Sequence, residues 1–227
     1  IQDLLSQSLN VGAAHVESLL GNKRFAQYMN AFGLNERTDI ELPNEAKNLM
    51  DNLKSNVDVN FATAAFGQGI ALTPISTVRA LAVVANGGFL VKPHVVKGLN
   101  YKIGTSDDTK LDQPVRVISR GTSEKLAKML TYSIDHVLSN GAYKIDNYSV
   151  SAKTGTAQIA KPGGGGYEED KFLHSFVGYF PSYNPQFIIF LFTVNPRGAQ
   201  FGSETLTKPF NELVNFLINY YEVAPDR

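Results

Sequence analysis

Residues 151–160 read SAKTGTAQIA, a run with the composition of a β-strand and one side chain that suits no core. Small and β-branched residues surround Lys153, which is followed by Thr154, Gly155 and Thr156. Along a strand alternate residues share a side, so Thr154 and Thr156 point one way and Lys153 and Gly155 the other. Two hydroxyls on one face can hold an anionic group, and the lysine adds positive potential at the strand's edge. Gly155 removes a side chain where another molecule could lie against the backbone. At a sheet edge the free N–H and C=O groups can pair with an extended peptide. The N–H of Thr156 could also face an oxyanion formed during acyl transfer.

The sequence on either side places this strand within a layered fold. SLNVGAAHVESLLG and KRFAQYMNAFGL read as two helices that stop at Gly21 and Gly33, and RTDIELPNEAK reads as a loop. LTPISTVRALAVVANGG has a helix start and stop: Thr73 caps, Pro74 takes the first position, and Asn86-Gly87-Gly88 ends it. Ile75, Val78, Leu81 and Ala82 are expected to form its buried face. A strand-and-loop region, 89–119, leads to the helix GTSEKLAKMLTYSIDHVLSNG, with Leu126, Met129, Leu130, Ile134 and Val137 at helical spacing. The strand is read as YSVSAKTGTAQIA, and KPGGGGYEEDK after it as a loop with Glu168, Glu169 and Asp170 at a solvated tip. Two strands follow, HSFVGYF and FIIFLFTV, joined by PSYNP. The second is continuously apolar, as a strand covered on both faces would be. KPFNELVNFLINYYE closes the chain as a helix. The expectation is an α/β (α+β layered) domain, mainly helical over 1–142, with antiparallel strands and a covering helix over 143–227.

Composition removes several functions. The chain has 227 residues, 43% apolar and 19% charged, with a formal net charge of zero, so it can bury a core but offers no nucleic-acid surface. It has no cysteine, hence no disulfide and no thiolate chemistry. His15, His94, His136 and His174 are scattered and read as structural or solvated rather than as a metal set. No G-x-S-x-G elbow is present, and a phosphate loop would need glycine where Ala152 precedes Lys153. Gly163 to Gly166 reads as a flexible hairpin loop. No apolar run reaches the roughly 20 residues of a membrane span. The first residue is Ile1 rather than methionine, and the chain is expected to be a piece of something longer.

K-T-G, together with S-x-x-K and S-D-N, marks penicillin-binding proteins and class A β-lactamases. Here Ser8-Leu9-Asn10 heads an apolar helix, followed in order by AFGLNERTDIELPNE, AAFGQGIALTPISTVRALAVVANGG, KPHVV, SAKTGTAQ and HSFVGYFP. In content and order this resembles the class B penicillin-binding transpeptidases across nearly the whole chain. The block from FGQG to ANGG favours them over β-lactamases.

The resemblance implies an incomplete penicillin-binding/β-lactamase-like transpeptidase fold. In the family two sheet strands precede the nucleophile, and one of them would flank 187–194. It implies a parent enzyme that acylates a serine with a D-Ala-D-Ala stem peptide and transfers it to an amine, with no cofactor or metal. By position, Ser8 would relay protons, Asn10 would bind the donor peptide's amide, and Lys153 would hold positive potential beside Ser8. Thr154 and Thr156 would receive the terminal carboxylate of the stem peptide or of a β-lactam, along the backbone at Gly155. The Thr156 N–H would supply half of an oxyanion hole, and Gln158 would extend the substrate strand. The implied partners are the stem peptide, β-lactams, the N-terminal part of the same domain or another copy of the chain, and cell-wall synthesis proteins. The implied location is extracytoplasmic in a bacterium, with the parent anchored by an N-terminal transmembrane helix. Alternatives on the same fold are a D,D-carboxypeptidase, a β-lactamase or a non-catalytic β-lactam sensor.

Three departures from the family stand out. Ala152 and Asp39 replace usual glycines. No serine is followed by lysine three positions later, so the nucleophile is absent and the chain alone is expected to be inactive.

Overall fold

A computed structural model describes all 227 residues, Ile1–Arg227. The chain opens with a short helix α1 (Gln2–Ser6), then α2 (Asn10–Leu20) and α3 (Asn22–Ala31). A non-regular stretch follows, with a 3₁₀ turn at Asp51–Lys54, and α4 (Asp58–Ala64) leads to α5 (Pro74–Ala85). Thr73 caps α5 as expected, its hydroxyl accepting from the Ser76 N–H at 3.2 Å. Two small antiparallel pairs come next: β1 (Phe89–Leu90) with β4 (Val115–Arg116), and β2 (Gly98–Asn100) with β3 (Ser106–Asp108). Helix α6 (Arg120–Tyr132), capped by Ser119, runs into a π-helical turn at Ser133–Val137 and a 3₁₀ turn at Leu138–Gly141. The main sheet is β5 (Ser151–Ala160), β6 (Tyr167–Phe180) and β7 (Phe187–Val194), antiparallel in that order, and α7 (Gly202–Tyr220) covers it.

The main core lies between α7 and one face of this sheet. Phe176 of β6 stacks on Phe210 of α7 at 4.3 Å between ring centroids, and Ala152, Phe180, Ile189 and Val214 complete the layer. Ala152 fits where the family has glycine because Gly178 faces it. A Cβ on Gly178 would stand 2.6 Å from that of Ala152 and 2.5 Å from the Phe210 ring. Asp39, the other departure, has a left-handed φ of 53°. That conformation explains the family's glycine, and aspartate tolerates it better than most residues do. The Glu45 carboxylate ties down the turn by accepting the N–H groups of Thr38 (2.7 Å) and Asp39 (3.0 Å).

The structure corrects four expectations. The buried residues of α5 are Ser76, Ala80 and Val83, not the stripe of Ile75, Val78, Leu81 and Ala82, which is half-buried. In α6 they are Ser123, Ala127 and Thr131, while Leu126, Met129 and Leu130 are half-buried. Small side chains let the two helices pack closely, and Ser123 Oγ donates to Val84 O at 2.6 Å. The segment after the tetraglycine is not loop: β6 begins at Tyr167, so Glu168, Glu169 and Asp170 lie on a strand. Finally, β7 buries only Ile189, so it is not covered on both faces; it pairs only with β6, and its outer edge is open, as an incomplete fold would leave it.

Candidate active site

β5 pairs with β6 alone, which leaves its other edge free. The strand emerges from the core as it runs: Ser151 and Ala152 are buried, Lys153 to Gly155 half-buried, Thr156 and Gln158 exposed. Its odd residues face the helices. Ser151 Oγ sits among buried hydroxyls of Thr131 (3.0 Å) and Ser182 (2.9 Å), anchoring the root of the strand. Two residues on, Lys153 Nζ donates to Ser8 Oγ at 2.7 Å and to its neighbour's carbonyl, Thr154 O, at 2.7 Å. Burial lowers the lysine's pKa from 10.5 to about 8, because desolvation disfavours the charged form.

Ser8 occupies the turn between α1 and α2 with a left-handed φ of 54°, and Asn10 opens α2 as an exposed residue. The expected pairing of Ser8 with Lys153 is therefore made across 145 residues of sequence.

The even residues of β5 face α7. Thr156 Oγ1 accepts the N–H of Gly202, the first residue of α7, at 2.9 Å. The lysine and the threonine hydroxyl thus lie on opposite faces and can meet one ligand only along the strand's free edge. Gly155 permits close packing here: a Cβ on it would stand 2.5 Å from Ser175 Oγ. A Cβ on Gly202 would stand 2.4 Å from Gly155 O, so helix and strand touch backbone to backbone. The start of α7 is fixed further by Glu204, whose carboxylate accepts the N–H groups of Gln200 and Phe201, both at 2.8 Å. These bonds, Phe201 foremost, hold its pKa below the usual carboxylate value.

His174 is structural, as read from sequence. It is fully buried, with Nδ1 2.9 Å from Thr205 Oγ1 and Nε2 3.2 Å from Gln200 O. A carbonyl can only accept, so Nε2 carries the hydrogen.

A cavity of about 720 Å³ adjoins the outer half of β5, between Gly155–Ala160 and the Phe66–Leu72 segment. Thr156 and Gln158 line it, whereas Ser8, Asn10 and Lys153 do not. Tyr167 closes one end, its hydroxyl accepting the Gly69 N–H at 2.8 Å. Sequence reasoning missed Tyr167 and Gly202. An aromatic residue directly after four glycines was the only available signal for the first, and nothing distinguished the second.

Comparison with known proteins gives the family and the fold. Residues 1–215 match the family profile described as penicillin binding protein transpeptidase domain. Stage V sporulation protein D of Bacillus subtilis is 31% identical over 204 residues, covering 88% of this chain and 31% of that protein. The peptidoglycan D,D-transpeptidase FtsI homolog of Mesostigma viride is 31% identical over 248 residues, covering 99% and 40%. Penicillin binding protein 3 from Mycobacterium tuberculosis, solved with ampicillin, superposes with a TM-score of 0.91 at 25% identity, covering 99% of this chain and 52% of that one. The chain spans about a third of the length of these curated relatives.

Proposed function

The chain belongs to the penicillin-binding protein transpeptidase domain family, and from that premise we propose that it forms two walls of a peptidoglycan D,D-transpeptidase site. The observation that carries this reading is the 2.7 Å contact between Lys153 Nζ and Ser8 Oγ beside a free strand edge. The donor is a stem peptide ending in D-Ala-D-Ala, or a β-lactam such as the ampicillin and aztreonam bound by the solved relative. It lies along β5 and pairs with the backbone on either side of Gly155.

Each residue then has a physical task. Thr156 Oγ1 already accepts from Gly202 N–H, so its own proton is free to donate to the ligand's carboxylate. Thr154 offers a second hydroxyl on the same face, and Gln158 an amide further along. The Thr156 N–H stabilises the oxyanion as the serine of the longer protein attacks the carbonyl. Because Lys153 donates to the Ser8 oxygen, the Ser8 hydrogen is free to pass to the departing amine, and Ser8 is refilled from the nucleophile's side. Asn10, two residues away, holds the donor's amide. An amine acceptor completes the cross-link. No step calls for a metal or organic cofactor.

The same reading places the domain outside the cytoplasm, held by a membrane anchor in the longer protein and working among cell-wall synthesis partners. No helix of this structure is long and apolar enough to cross a membrane.

Fluorescent penicillin tests the assignment. The 227-residue chain should form no covalent adduct, whereas the longer protein carrying the S-x-x-K serine should label. A labelled band from this chain, mapped to any serine within it, would overturn the reading.

A further inference from the structure

Ser8 is the residue of the site with least to hold it. It is exposed, its backbone is left-handed, and the helix before it, α1, buries none of its residues. Apolar packing against α1 is limited: Leu4 rests on Gly12 of α2, where an added Cβ would meet its side chain at 3.1 Å. Yet the Ser8 hydroxyl must stay within hydrogen-bond reach of Lys153 for the pair to act.

What fixes α1 is a ring of hydrogen bonds to the end of α6. Gln2 Nε2 donates to Ser6 Oγ at 2.8 Å and to Met129 O at 3.0 Å. Ser133 Oγ donates to Met129 O at 2.9 Å, and Ser6 Oγ lies 2.8 Å from Ser133 Oγ. The proton directions follow from the acceptors. Ser133 spends its hydrogen on a carbonyl, so Ser6 donates to Ser133 and takes its own bond from Gln2. Both Gln2 hydrogens are used, and a flipped amide would set its oxygen against the Met129 carbonyl. Every donor in the ring is therefore satisfied in one arrangement only.

Ser133 is itself held. It is buried and begins the π-helical turn, whose next residue, Ile134, is buried in the main core. Two residues on, Asp135 is clamped by the Arg227 guanidinium, whose Nη2 also donates to Ile145 O at 2.9 Å. The ring thus transmits a fixed point at the end of α6 to a turn that would otherwise be free.

We infer that Gln2, Ser6 and Ser133 are positioning residues that set the Ser8 hydroxyl against Lys153. They touch neither ligand nor reacting atoms, and the inference rests on the transpeptidase reading above. A displacement of about 1 Å at a reacting geometry can cost about a hundredfold in rate, so a loosened α1 should show in the chemical step before it shows in binding.

The test uses the longer protein that carries the nucleophile, with Ser6→Ala, Ser133→Ala, the double variant, Ser6→Thr and Lys153→Ala. Single-turnover acylation by fluorescent penicillin gives the limiting rate and the non-covalent Kd separately, and melting is recorded alongside. Each alanine variant should lower the limiting rate about tenfold with Kd within about twofold. The double variant should be no slower than the slower single, and Ser6→Thr, which restores the hydroxyl at a half-buried position, should recover most of the rate. The inference is lost if Ser6→Ala and Ser133→Ala keep wild-type limiting rates while Lys153→Ala is slow. It is also lost if their effects multiply, or if Ser6→Thr is as slow as Ser6→Ala. Should Lys153→Ala itself acylate normally, the transpeptidase reading fails first and takes this inference with it.

Discussion

Lys153 is bonded to two neutral oxygens, Ser8 Oγ and Thr154 O, and to no carboxylate. Its ammonium is therefore desolvated without compensation, which is why its pKa falls to about 8. Two opposite pH effects follow. Below about pH 8 the lysine is charged and supplies the positive potential beside Ser8. Above it that potential is lost, so the acylation rate of the longer protein should fall on the alkaline side with a midpoint near pH 8. Stability should move the other way. The folded pKa lies below the unfolded one, so between about pH 8 and 10.5 the unfolded chain binds more protons and this group's contribution rises with pH. Lys153→Ala separates the two. Removing one preorganised electrostatic group should slow acylation by about 10²–10³, while the melting temperature holds or rises because a poorly solvated charge is gone. A variant that acylates within a few-fold of wild type would show that β5 is not a wall of the site.

The elements show where sequence reasoning succeeds and where it stops. The ends of α5 and the presence of three main strands were legible because capping residues, glycine stops and β-branched runs act locally. The buried faces of α5 and α6 were not. Periodicity selects the largest apolar stripe, whereas close packing between helices selects the smallest side chains, here Ala80 and Ala127. The early start of β6 was hidden by Glu169 and Asp170, exposed charges on a hairpin arm that projects past the core. Within the site, the Lys153–Ser8 pair was reached through the family's motif order, but the Gly202 contact depends on where α7 lands. That contact makes a testable contrast. In Gly202→Ala the new methyl would meet Gly155 O at 2.4 Å, a backbone atom that cannot swing away. In Gly155→Ala it would meet the Ser175 hydroxyl at 2.5 Å, a side chain that can rotate. Gly202→Ala should cost about 1–3 kcal/mol by overpacking, and Gly155→Ala clearly less. Denaturant melts of both in the longer protein decide it, and equal losses would mean that the helix and strand are not in the register described.

Across the whole molecule the open edge of β7 is the feature that stability must answer for. FIIFLFTV has the composition of a central strand, yet it pairs only with β6, buries only Ile189, and leaves Phe192 49% and Val194 58% exposed. Beyond it α7 turns Phe216 and Tyr220 outward, stacked on each other at 5.6 Å. Fully burying one such apolar side chain is worth about 1.5–3 kcal/mol. Leaving the five others between Phe187 and Phe192 half-covered therefore withholds roughly 4–8 kcal/mol. That is comparable with the entire net stability of a typical domain, about 5–15 kcal/mol. An unpaired apolar edge also recruits other strands. The family resemblance puts a strand from before the nucleophile in this place, and a second copy of the chain is the other candidate. The purified 227-residue chain is accordingly expected to be ordered only with its edge covered, by a separate N-terminal peptide or by self-association. Native sizing with intact-mass measurement would show an extra peptide, or a mass that is a multiple of 24.8 kDa. A soluble 24.8 kDa monomer that melts cooperatively with no second peptide would mean that α7 and β6 hold the sheet unaided and that the exposed edge costs far less than its composition implies.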